Sequence, residues 1–185
     1  MKLKIIITII FFTLYSAKLF SQGIYSASGG NASFYSSAPL EDIEAVSTGM
    51  SSVLNAATGE IVFIVPIRSF RFKKSLMEEH FNEKYLESDK YPQAIYKGKI
   101  NEMPDISKDG QYRISSSGSL NIHNVNIQRT DSAMLTVKEG VISMEGNFKV
   151  ALKDHDIEIP KLVIRNIAEV VDVKFSARYA PYKKE

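Results

Sequence analysis

Val141-Ile-Ser-Met-Glu-Gly-Asn-Phe-Lys-Val150 decides the fold class. Ile142, Met144, Gly146, Phe148 and Val150 fall on one side of an extended chain; Ser143, Glu145, Asn147 and Lys149 fall on the other. A period of two marks a β-strand with one buried and one solvated face. The pattern repeats outward from this stretch. Toward the C-terminus, Val171, Val173, Phe175, Ala177 and Tyr179 alternate with Asp172, Lys174, Ser176 and Arg178. Toward the N-terminus, Tyr112, Ile114, Ser116, Gly118, Leu120 and Ile122 make a third inward row, and Ala94, Tyr96, Gly98 and Ile100 a fourth. Val46, Thr48, Met50, Ser52 and Leu54 alternate more weakly, and Phe34 sits in a polar, Ser-rich first strand. Ala57-Thr58-Gly59, Lys108-Asp109-Gly110, His123-Asn124 and Lys138-Glu139-Gly140 carry hairpin-turn chemistry. About eight antiparallel strands, each with one polar face, predict a mainly β chain closed into a barrel or stacked as a sandwich.

One segment breaks the pattern. From Ser69 to Pro92 the apolar residues Leu76, Met77, His80, Phe81 and Tyr85 recur at helical spacing, with Glu78, Glu79, Asn82 and Glu83 opposite. Ser75 followed by Glu78 predicts a capping box, and Pro92 returns the chain to extended structure. A lone amphipathic helix on a β protein suggests a lid or plug. Glu60-Ile-Val-Phe-Ile-Val-Pro66, however, is apolar on both faces and needs a cover on its outer side. The helix Leu76–Leu86 is therefore predicted to lie against the outside of that strand.

The N-terminus reads as an export signal. Lys2 and Lys4 precede an apolar run from Ile5 to Leu14 that is too short to span a bilayer. Cleavage is expected between Ser21 and Gly23, leaving one domain over residues 23–182 and no integral membrane segment. Loss of Lys2, Lys4 and Lys18 leaves 20 basic against 21 acidic residues, a formal charge of −1. That balance gives no argument for nucleic acid. The chain has no Cys, so it has no lipoprotein acylation site, disulfide or thiolate metal site. The expected location is periplasmic or secreted.

Several stretches together resemble the YceI-like family. Phe70-Arg-Phe72, Met77, His80-Phe-Asn-Glu83, Tyr85-Leu-Glu-Ser88 and Tyr91-Pro92 are similar to its strand-and-helix signature. Gly118-Ser-Leu-Asn-Ile-His-Asn-Val125 resembles its central hairpin, and Phe148-Lys-Val150 with Asp154-His-Asp-Ile-Glu-Ile-Pro160 its C-terminal segment. The resemblance implies an extended lipocalin-like antiparallel barrel exported to the bacterial periplasm. It also implies an amphiphile such as a polyisoprenoid held inside, and no catalytic centre. The sequence departs from the pattern at Asn124, where Gly is usual, and at His155, where an aromatic is commoner. The first strand, Ile24 to Ser36, lacks the Asp and His often found in longer members.

The inward rows hold small residues beside large ones. An unfilled interior would follow if Gly98, Ser116, Gly118, Gly146 and Ala177 leave space; a packed core would follow if Tyr96, Tyr112 and Phe148 fill it. Phe63, Tyr96, Tyr112, Ile114, Ser116, Gly118, Leu120, Met144, Phe148 and Phe175 are the candidate ligand-binding set, lining a cavity for an apolar or amphiphilic lipid. Chemistry is poorly supported. His80, His123 and His155 lack metal-ligand spacing, Ser115–Ser119 lacks a nucleophile elbow, and Glu78/Glu79 and Glu41/Asp42 look solvated. No cofactor or metal is expected. The sequence thus points to an exported carrier or sequestering protein for a polyisoprenoid-type amphiphile. The alternative is a ligand-free structural or interaction protein of the cell envelope with a filled core.

Overall fold

The computed structural model describes residues 23–161 and 165–182. The expected export signal, residues 1–22, lies outside the described residues. Alternation closes into a wall. The strands are β1 (Ile24–Ser37), β2 (Asp42–Asn55), β3 (Glu60–Pro66), β4 (Arg71–Phe72), β5 (Gln93–Ile100), β6 (Gly110–Ile122), β7 (Val125–Lys138), β8 (Val141–Ala151) and β9 (Val170–Pro181). They pair antiparallel in the order β1-β9-β8-β7-β6-β5-β3-β2, and β1 pairs back onto β2. The eight long strands thus form a closed barrel, which removes the exposed edges an open sheet would carry. The short β4 adds to β2 at Ala45 and Val46.

Turn chemistry places two of the hairpins directly. His123 and Asn124 both have positive φ (53° and 64°), as do Glu139 and Gly140 (52° and 75°). Two such residues between Ile122↔Val125 and Lys138↔Val141 match the backbone twist of a two-residue hairpin. Lys108-Asp109-Gly110 differs from the expectation. It ends a longer loop from Asn101, whose Met103 and Ile106 pack on the core and whose Asp105 carboxylate accepts from Ser107 N–H at 3.1 Å.

The inward row of β2 also differs. Ile43, Ala45 and Ser47 face inward, then Met50, Ser52 and Leu54, while Val46 is 41% exposed. A register shift against β1 near Gly30 and Met50 inserts one extra residue, which flips the side-chain phase.

The helix is α1 (Ser75–His80), continued by a π-helical turn (Phe81–Tyr85) in which Leu86 N–H donates to Phe81 O at 2.9 Å. The expected capping box is not formed. Lys74 is the N-cap and Ser75 already helical, so the Glu78 carboxylate instead accepts from Phe72 N–H (3.2 Å) and Arg71 (3.0 Å). The docking site is also corrected: the helix does not cover the outside of β3. Phe81 packs on Phe34, Phe70 and Phe72, with ring centroids 5.4, 5.6 and 5.0 Å away. It therefore plugs one end of the barrel. The outer residues Val62 and Ile64 stay half-buried through cross-strand contact with Val53 and Ile95.

The interior has two halves. Away from the helix, Leu54, Leu135, Val137, Ile142 and Tyr179 are buried in one continuous core. There the Tyr179 hydroxyl pairs with Ser52 Oγ at 2.7 Å, and Ser52 donates to Val62 O at 2.8 Å. Burial pushes the Tyr179 hydroxyl pKa far above the usual phenol value, with the Ser52 hydrogen bond acting in the opposite sense. The half nearer the helix is hollow.

Candidate ligand cavity

The hollow half holds a cavity of about 410 Å³, within the range of small-molecule sites. Its walls come from the inward rows. β3 supplies Phe63, β5 Tyr96, β6 Ile114, Ser116 and Leu120, β8 Met144 and Phe148, and β9 Phe175. Eight of the ten candidate residues thus border one space. Phe63 meets Phe175 edge-to-face at 5.0 Å, and Phe148 lies 6.4 Å from Phe175. Tyr96 shares a 2.8 Å hydrogen bond with Ser116. Burial raises its pKa, and the Ser116 hydrogen bond opposes the rise.

Tyr112 and Gly118 lie off the cavity wall. Tyr112 donates its hydroxyl to Lys108 O at 3.0 Å, which draws the ring toward the far end of the barrel. At Gly118 the β5 backbone already occupies the space: an added Cβ would lie 2.4 Å from Gly98 Cα and from Lys97 O. The inward glycines Gly98, Gly118 and Gly146 therefore do not make the cavity by leaving gaps. The Tyr96 ring covers Gly98, and the Phe175 ring lies within 2.6 Å of where a Gly146 Cβ would be. Space survives because the helix spans the barrel end without filling it.

Sequence reasoning missed several wall residues. Met77, His80, Phe81, Tyr85 and Leu86 of the helical segment border the cavity, as do Ile157, Asn166 and Ile167 of the chain leading to β9. Burial raises the Tyr85 pKa. Arg129 and Asp131 of β7 also reach it. Their signal was present in the row Val125, Ile127, Arg129, Asp131, Ala133, Leu135 and Val137, which alternates with Asn126, Gln128, Thr130 and Ser132.

The histidines do not converge. His80 contacts Lys84 Nζ at 3.1 Å. His123 meets Glu87 at 2.9 Å through Nε2 and His155 O at 3.2 Å through Nδ1. His155 is buried, and desolvation lowers its pKa while the backbone at Val125 and Ile122 partly offsets this. No cluster of three metal-ligating side chains exists among the described residues, and no described helix is long and apolar enough to cross a membrane.

The helix thus crosses one end of a closed eight-stranded barrel, with an apolar cavity beneath it. The sequence matches the YceI-like domain over residues 31–179. The chain belongs to the YceI-like family. Among solved structures, a polyisoprenoid binding domain from Saccharophagus degradans implicated in plant cell wall breakdown is similar with a TM-score of 0.72 at 15% identity. The match covers 85% of this chain and 98% of that one. BcnA of Burkholderia cenocepacia is similar with a TM-score of 0.68 at 15% identity, over 80% of this chain and 95% of that one. A Campylobacter jejuni YceI protein gives 0.51 at 15% identity, over 71% and 78%. A search of curated proteins matched none. At these identities the solved structures establish the YceI-like fold alone.

Proposed function

We propose that this YceI-like chain binds a polyisoprenoid-type or other lipid in the barrel, as an exported carrier or sequestering protein. The observation that carries this reading is the apolar cavity of about 410 Å³ set above a filled core. A fold needing only a packed interior has no use for it, because empty apolar volume costs stability. Each buried CH₂ of a chain contributes about 0.8 kcal/mol, so an apolar tail can bind tightly here without a polar motif. The Saccharophagus degradans relative, described as polyisoprenoid binding, supports the ligand class. Export is supported by Lys2, Lys4 and the apolar run to Leu14.

The test is expression with the N-terminal segment intact, cell fractionation, detergent-free purification, and mass spectrometry of an organic extract. A mature chain starting near Gly23 outside the cytoplasm, carrying one stoichiometric lipid, is expected. Protein that carries no amphiphile and takes up no added isoprenoid would overturn the binding reading. A cytoplasmic, unprocessed chain would overturn export.

A further inference from the structure

Between β7 and β8 the barrel wall is discontinuous. Their ladder runs from Lys138↔Val141 only as far as Ala133↔Gly146. Beyond that point β7 continues on β6 to Val125, and β8 continues on β9 to Ala151. The two strands part and leave a seam beside the cavity, which is also bordered by Ser132 on the solvent-exposed side of β7.

An ion pair sits in this seam. The Asp131 carboxylate accepts from Arg129 Nε and, at 2.8 Å, from Nη2. Nη2 also donates to Lys149 O across the seam at 3.2 Å, and the guanidinium lies 4.4 Å from the Phe148 ring centre. The pair is mostly shielded, with side chains 17% and 27% exposed. Ser116 is paired directly opposite Asp131 and carries the Tyr96 hydroxyl, so four polar groups form one island in an apolar lining.

Holding two strands together does not require charges, since apolar side chains of similar volume commonly replace a shielded ion pair at no loss. What the pair adds is local polarity. The two Nη1 hydrogens have no protein partner among the described residues, and the carboxylate oxygens retain lone pairs. Donor and acceptor stand side by side with no net charge. Of the other polar groups on the cavity wall, Glu41 is paired with Lys74, and His80 Nε2 meets Lys84 Nζ at 3.1 Å, both at the helix end.

We infer that Arg129 and Asp131 form the head-group site of the cavity and select a neutral amphiphile whose head both accepts and donates, such as a long-chain alcohol. An anion of equal chain length is disfavoured, because it meets the Asp131 carboxylate beside the only guanidinium that could neutralise it among the described wall residues. This inference rests on the proposed lipid binding. It assigns the head to the seam rather than to the helix end.

Delipidated protein is incubated separately with hexadecanol, hexadecanoic acid, hexadecyl phosphate and hexadecane, and occupancy is read by native mass spectrometry. Wild type should favour hexadecanol over each of the others by about tenfold or more, the worth of one hydrogen bond to a charged group. Asp131→Asn leaves the Arg129 charge uncompensated and should turn the preference toward hexadecanoic acid. Arg129→Met with Asp131→Leu should bring hexadecanol and hexadecane to equal occupancy, in a variant whose folding is checked by its melting curve. A wild type that favours either anion, or an alcohol preference unchanged in Asp131→Asn, would overturn the head-group site. Equal uptake of hexadecane and hexadecanol by wild type would do the same while leaving lipid binding intact. Uptake of none of the four would overturn both.

Discussion

Two buried side chains, His155 and Tyr179, tie the stability of this barrel to pH from opposite sides. His155 is buried and its pKa is lowered by desolvation, so the unfolded chain binds a proton more readily than the folded one. Its contribution is present above the unfolded value of about 6.5 and is lost as pH falls below it. Tyr179 works at the other limit. Its raised pKa gives stability that is present below the unfolded value of about 10 and is lost as pH rises beyond it. Chemical denaturation across pH should therefore show falling stability on both sides. His155→Phe should flatten the acid side, and Tyr179→Phe the alkaline side, the latter at a cost of about 1 kcal/mol near neutrality. Neither role is legible in the sequence. His155 stands in a polar run, Asp154-His-Asp156, and nothing local to it signals burial. Tyr179 was legible as an inward residue, but its Ser52 partner is 127 positions away. Arg129 and Asp131 were legible and overlooked, because two charges interrupt an otherwise apolar row.

At the scale of elements, the helical segment is held by Glu78 at its start and by Phe81, Tyr85 and Leu86 farther along. Glu78 ties α1 to β4 through Phe72 N–H and Arg71, so Glu78→Ala should cost about 1 kcal/mol in urea unfolding. Phe81 is the main anchor, stacked among Phe34, Phe70 and Phe72. Phe81→Ala should cost about 3–5 kcal/mol, and a loosened plug should exchange a loaded lipid faster in a stopped-flow transfer assay. A variant that is destabilised but exchanges lipid at the wild-type rate would show that the helix does not control access. The amphipathic stripe was legible because its spacing is local. Its docking site was not, since an apolar helix face fits the end of a barrel as well as its outside. The phase flip in β2 was hidden for the same reason: a bulge is a relation between two strands, and only one of them carries the alternating row.

For the whole molecule, the rows of β6, β8 and β9 were enough to foresee antiparallel strands with one buried face, but they left barrel and sandwich open. The family resemblance implied the barrel, and it agrees with the match over residues 31–179. Whether the interior is hollow could not be read from residue sizes. The glycines that suggested space are covered by Tyr96 and Phe175, while the space itself lies under the helix. Two substitutions separate these effects. Gly118→Leu drives a side chain into the β5 backbone and should destabilise by about 3 kcal/mol or more. Ser116→Leu points into the cavity and should lower lipid load with a smaller loss, measured by extraction and thermal melts of the same samples. Equal lipid loads in the two variants would argue that the cavity is not where lipid sits.

The core packed around Tyr179 and Ser52 gives the cavity a floor. On the proposed lipid binding, a tail would descend only until it met that floor, and the protein would act as a depth gauge. Along a homologous series, affinity should climb by about 0.8 kcal/mol per methylene and then stop climbing at one chain length. Any excess length would have to remain outside the barrel. The fixed half of the interior, which touches no ligand, would then decide how much of each molecule the other half can hide.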